Sequence, residues 1–135
     1  YKGNDLETEI RAFLKKEIPA LTEPQLEASV KQVTDPWFRY FLAFDPGVYL
    51  SKVKVPVLAL NGNLDTQVTS KENLEGIRKS LTRAGNKNFE IVPFENLNHL
   101  FQTAKTGSVS EYAHIEETIA PAVLEKIGAW VSGRF

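Results

Sequence analysis

Apolar positions follow one rhythm up to about residue 50 and another beyond it. In the first stretch Leu6, Ile10, Phe13 and Leu14 fall at i, i+4, i+7 and i+8, the spacing of one helix face. Pro19 closes that helix. Thr22-Glu23-Pro24-Gln25 then reads as a capping box with Pro in the first turn, and Leu26, Val30 and Val33 continue the second helix on one stripe. Asp35-Pro36 opens a third, with Asp as the N-cap and Pro at the first helical position. Five aromatics follow within eight residues: Trp37, Phe38, Tyr40, Phe41 and Phe44. The expectation is that they pack a helix onto a core, with part of the run free to line a pocket.

From residue 51 the pattern changes. Val53 to Leu60 ends in a continuous apolar run, which suits a strand buried on both faces, with Pro56 near its start. Asn61-Gly62-Asn63 is a turn signal. Thr69-Ser70-Lys71-Glu72 reads as a capping box, Leu74, Ile77 and Leu81 supply a helical stripe, and Gly85 fits the residue just past the helix end. Phe89 to Pro93 is a second short strand. Residues 95–110 show no periodicity. Thr118 and Pro121 mark a last helix, with Ala120, Leu124, Ile127 and Val131 as its buried face and Val123 and Trp130 widening it.

Strands joined by a helical crossover are parallel, so the class is α/β. The chain divides into a helical segment, 1–50, and an α/β segment, 51–135. Two strands are few for a parallel sheet, and the second segment reads as the edge of a larger one.

Composition narrows the function classes. The chain has 135 residues, 42% of them hydrophobic and 24% charged, in keeping with a globular domain. Sixteen basic against 17 acidic residues leave a net charge of −1, without the basic excess of a nucleic-acid binder. No apolar run reaches the roughly 18–20 residues that span a bilayer. The absence of cysteine rules out disulfides, a Cys nucleophile and thiolate metal sites within these residues. Two histidines, His99 and His114, leave little room for a His-rich metal centre.

Ligands of open parallel sheets gather beyond the carboxyl ends of the strands. Asp65 follows the first strand and His99 the second, so both loops emerge at one edge. An Asp–His pair there suits acid–base work, because the carboxylate fixes the imidazole tautomer and stabilises the imidazolium. Other ionisable residues read more plainly. Asp35 and Asp45 precede prolines as caps or turns, His114 is a solvated or local helix residue, and Glu111, Glu116 and Glu117 form a solvated face.

Val55 to Val68, a strand running into Gly62 and then Asp65 three residues on, resembles the α/β-hydrolase segment that carries the triad acid. Asn98-His99-Leu100-Phe101-Gln102 is similar to the loop that carries the triad histidine in esterase-like bacterial members. Asp65 precedes His99 by 34 residues, in the family's order of Ser, then acid, then His. The 118–132 helix resembles the last helix of that fold, and Asp35 to Phe41 the end of its cap region. The likeness covers about 100 of the 135 residues. It implies that Asp65 accepts the Nδ1–H of His99, that His99 is the general base, that Phe101 packs beneath it and Asn98 holds its loop, and that no cofactor is needed.

The family's nucleophile elbow, Gly-x-Ser-x-Gly, does not occur here. None of Ser29, Ser51, Ser70, Ser80, Ser108, Ser110 and Ser132 has Gly at both ±2 positions. The resemblance therefore implies the C-terminal portion of a serine hydrolase for carboxylic esters or related acyl substrates. The nucleophile would lie upstream, and this chain would be inactive alone. A non-catalytic binding or oligomerisation module of the same fold, and a peptidase-type member, are the alternatives, and an upstream Gly-x-Ser-x-Gly separates enzyme from module. A truncated sheet also implies self-association through its edge.

Overall fold

Proline and short polar side chains set the helix starts. The computed structural model describes residues 4–134. They fall into two compact units that divide between Asp45 and Pro46. In the first, α1 (Asn4–Glu17), α2 (Glu23–Thr34) and α3 (Pro36–Ala43) follow one another. The Gln25 side chain accepts the Thr22 backbone N–H at 2.9 Å, half of the expected capping box. The Asp35 carboxylate accepts the N–H groups of Trp37 and Phe38 at 2.9 and 3.0 Å, so Asp35 is the N-cap of α3. Leu26 and Val30 are the buried side chains of α2. Arg11 of α1 grips Glu27 of α2 with two guanidinium N–H groups.

The aromatic run does not build a core. Trp37, Tyr40, Phe41 and Phe44 are all exposed, and Trp37 instead stacks on Phe41 at 5.6 Å between centroids. At i and i+4 on an eight-residue helix the rings meet each other.

The second unit opens with α4 (Gly47–Leu50), then β1 (Val57–Gly62), α5 (Ser70–Arg83), β2 (Phe89–Phe94), a 3₁₀ helix at Val109–His114, and α6 (Pro121–Ser132). β1 and β2 pair in parallel, from Val57 opposite Phe89 to Gly62 opposite Phe94. Pro93 is tolerated within β2 because, among the described residues, that strand is paired on one side only. Side chains alternate across the sheet. Asn61 and Ile91 face α5, while Leu60, Glu90 and Phe94 face α6, where Lys126 binds Glu90. The result is a two-stranded parallel sheet with helices on both faces.

α5 ends as its sequence implies. Gly85 takes φ +67°, its N–H bonds the carbonyl of Thr82, and the N–H of Asn86 bonds that of Leu81 at 3.0 Å. These two bonds make a Schellman cap. Asn86 also ties down the approach to β1 by donating to the carbonyls of Val53 and Val55.

Three expectations need correction. β1 is not buried on both faces: only its Ala59, Asn61 and Gly62 are buried, because a two-stranded sheet leaves the remainder half covered. The last helix starts at Pro121 with Ala120 as N-cap, not at Thr118. Of its expected inner face, Ala120 and Val123 are buried among Leu97, Leu60, Phe94 and Phe101, whereas Leu124, Ile127 and Val131 are exposed. Periodicity identifies an apolar stripe but does not say what covers it. Among the described residues no helix is long and apolar enough to cross a membrane.

Candidate active site

Parallel pairing brings the loops after β1 and β2 to one sheet edge, and backbone bonds join them. The N–H of Asn63 donates to the carbonyl of Phe94 at 2.8 Å, and that of Leu64 to Leu97 at 2.9 Å. Two glycines allow the closeness. A Cβ on Gly62 would collide with the carbonyl of Leu97, and one on Gly107, at φ +77°, with that of Leu64.

Within this frame Asp65 and His99 meet. The Nδ1 atom of His99 lies 2.9 Å from Oδ2 of Asp65. The Asp65 side chain is 4% exposed and that of His99 38%. Oδ1 of Asp65 accepts the N–H groups of Gln67 at 2.9 Å and Val68 at 2.8 Å, and Oδ2 also accepts Nδ2 of Asn61 at 3.0 Å. Burial, the largest single influence, pushes this carboxyl upward. The N–H of Val68, the imidazole and the N–H of Gln67 together outweigh it and hold Asp65 below the usual carboxylate range. An ionised, acceptor-only Asp65 requires Nδ1 to carry its proton, which leaves the Nε2 lone pair of neutral His99 as the available base.

The histidine loop is built around Asn98, which is fully buried. Its Oδ1 accepts the N–H groups of Leu100 and Gln102 at 2.9 and 3.0 Å, and its Nδ2 donates to Oε1 of Gln102. Gln102 in turn donates to the carbonyl of Glu117 at 2.9 Å. Phe101 sits at φ +58°, a rare conformation for a bulky residue, and packs edge-on against Phe94 at 6.3 Å. Asn98 thus holds the loop by side-chain hydrogen bonds, and Phe101 packs against Phe94 and the Leu97–Ala120–Val123 cluster.

Glu111 and Glu117 are not a solvated face. Glu111 accepts the N–H groups of Thr106 and Gly107, and Glu117 accepts that of Thr103 at 2.6 Å, so both carboxylates brace the long loop after β2. His114 is exposed at the end of the 3₁₀ helix. Ser108 bonds Ser110 at 2.8 Å. A groove beside α5, lined by Leu74, Arg78, Ile91 and Pro93, reaches Asp65 but not His99. Among the described residues no three His, Asp or Glu side chains are placed to hold a metal ion.

Sequence reasoning passes over Asn61 and Asn73. Asn61 reads as part of a turn, yet it is a buried residue of β1, next to the strand's last residue Gly62, contacting the catalytic candidate Asp65, and its Oδ1 accepts Nδ2 of Asn73 on α5 at 2.8 Å. The available signal is a polar residue completing an otherwise apolar strand. No protein-family model, curated protein sequence or solved structure matches this chain.

Proposed function

We propose that Asp65 and His99 are the acid and base of a serine-hydrolase site of the α/β-hydrolase type, acting on carboxylic esters or related acyl substrates. One observation carries the reading: the buried Asp65 carboxylate lies 2.9 Å from Nδ1 of a partly exposed His99, at the carboxyl ends of two consecutive parallel strands.

In this reading His99 Nε2 removes the proton from a serine Oγ as the hydroxyl attacks the acyl carbon. It then returns the proton to the leaving group, while Asp65 stabilises the imidazolium and holds its orientation. Gly-x-Ser-x-Gly is absent from these 135 residues, so the serine and the oxyanion donors come from an upstream segment of the parent enzyme.

The test compares two polypeptides. The 135-residue chain should neither hydrolyse a p-nitrophenyl ester above buffer nor label with a fluorophosphonate. A chain extended upstream through a Gly-x-Ser-x-Gly segment should do both, and Asp65→Asn in it should lower turnover by about 10⁴-fold. Serine labelling of the 135-residue chain, or unchanged turnover after His99→Ala in the extended one, defeats the proposal.

A further inference from the structure

Asp65 could present either carboxylate oxygen, in several rotations, to His99. Four donors remove that freedom. Gln67 and Val68 occupy Oδ1, and Oδ2 receives His99 from one side and Asn61 from another. The Asn61 amide is itself oriented. Its Oδ1 accepts Nδ2 of Asn73, so Nδ2 of Asn61 is the end turned to Asp65. The opposite flip would set a carbonyl against a carboxylate. Asn61 is 5% exposed, so water does not readily replace it. Its other two contacts, to the carbonyls of Gly62 and Val68, are 3.4 Å long and weak.

We infer that Asn61, steered by Asn73, is a positioning residue for the Asp65–His99 pair, fixing the carboxylate oxygen that receives Nδ1 and thereby the direction of Nε2. As a role beside a general base this rests on the acid–base reading above. The measurement therefore follows the protons of the pair rather than turnover, and the two readings fail separately.

The experiment is an NMR titration of the 135-residue chain and of Asn61→Leu, Asn73→Leu and the double variant. It records the His99 Nδ1 proton resonance and the Asp65 carboxyl midpoint. Leu at position 73 suits a helix better than Asn, so an effect of that variant does not come from weakening α5. Asn61→Leu should broaden or erase the Nδ1 resonance through faster exchange and raise the Asp65 midpoint. Asn73→Leu should do so less, and should add nothing in the Asn61→Leu background. An amide with only a packing role would lower the melting temperature and leave both signals in place. The Nδ1 proton decides: if it is unmoved in folded Asn61→Leu, or in Asn73→Leu should Asn61→Leu not fold, the inference is overturned. Additive effects of the two substitutions overturn the steering by Asn73.

Discussion

Gly62 passes so close beneath Leu97 that any side chain on the glycine would collide with the leucine's carbonyl. The same Cβ would stand 2.7 Å from the carbonyl oxygen of Asn98, so both obstacles are backbone and cannot turn aside. Gly62→Ala should therefore cost about 1–3 kcal/mol of stability, the range for overpacking a buried site. It should also part the two loops. Urea unfolding measures the first effect. Faster hydrogen exchange at Leu64, whose N–H holds the Leu97 carbonyl, measures the second. Wild-type exchange at Leu64 would refute the claim that the glycine sets the approach.

Asn98→Ala should be among the costlier single changes in the second unit. It strands the buried N–H of Gln102 and one lone pair of its amide, and each unsatisfied buried group costs about 1–3 kcal/mol. The His99 loop should open while β1 and β2 persist. Amide exchange, mapped by residue, checks this: protection lost at Leu100 to Gln102 and kept at Ala59 is the expected pattern.

Asp65 links stability to pH with a definite sign. Its pKa is lower folded than unfolded. Its contribution is thus complete above the unfolded value, about pH 4, and is lost as pH falls through the lower folded value. Urea midpoints collected on descending from neutrality should fall in that acid window, and the fall should be shallower in Asp65→Asn. Glu27 and Glu72 are also shifted downward, by Arg11 and by the Glu72 backbone N–H respectively, but both are exposed and solvent screening makes them minor contributors. Identical acid limbs in wild type and Asp65→Asn would contradict the assignment.

The outer edge of β1 has no partner strand among the described residues, and Leu124, Ile127 and Val131 of α6 are exposed. Unpaired edges and apolar patches recruit further chains. Light scattering should show a mass rising with concentration, reduced by Ile127→Lys. A stable monomer at high concentration would count against the prediction.

What could be read from the amino acids alone depended on how far each signal reaches. Asp35-Pro36, Thr22 with Gln25, and Gly85 act within four residues, and the helices start and stop where they indicate. Asp65 and His99 could be paired because a parallel crossover is a topological statement, which needs no side-chain detail. Longer-range information was hidden. That Leu124 and Trp37 lie in solvent depends on what else packs against them, which no periodicity encodes. Asn61 finds Asn73 only because α5 lies over the odd-numbered face of β1, and Glu117 finds Thr103 only once the loop has closed.

Asp65 also shows why charge alone does not specify this position. Its Oδ1 reaches the amides of the next two residues but one, while Oδ2 reaches across to the neighbouring loop. Both spans start from a single methylene. A glutamate would bring the same charge on a longer arm, overshooting the local amides or the imidazole. The side chain acts as a gauge whose length, as much as its ionisation, sets the spacing between two loops 34 residues apart.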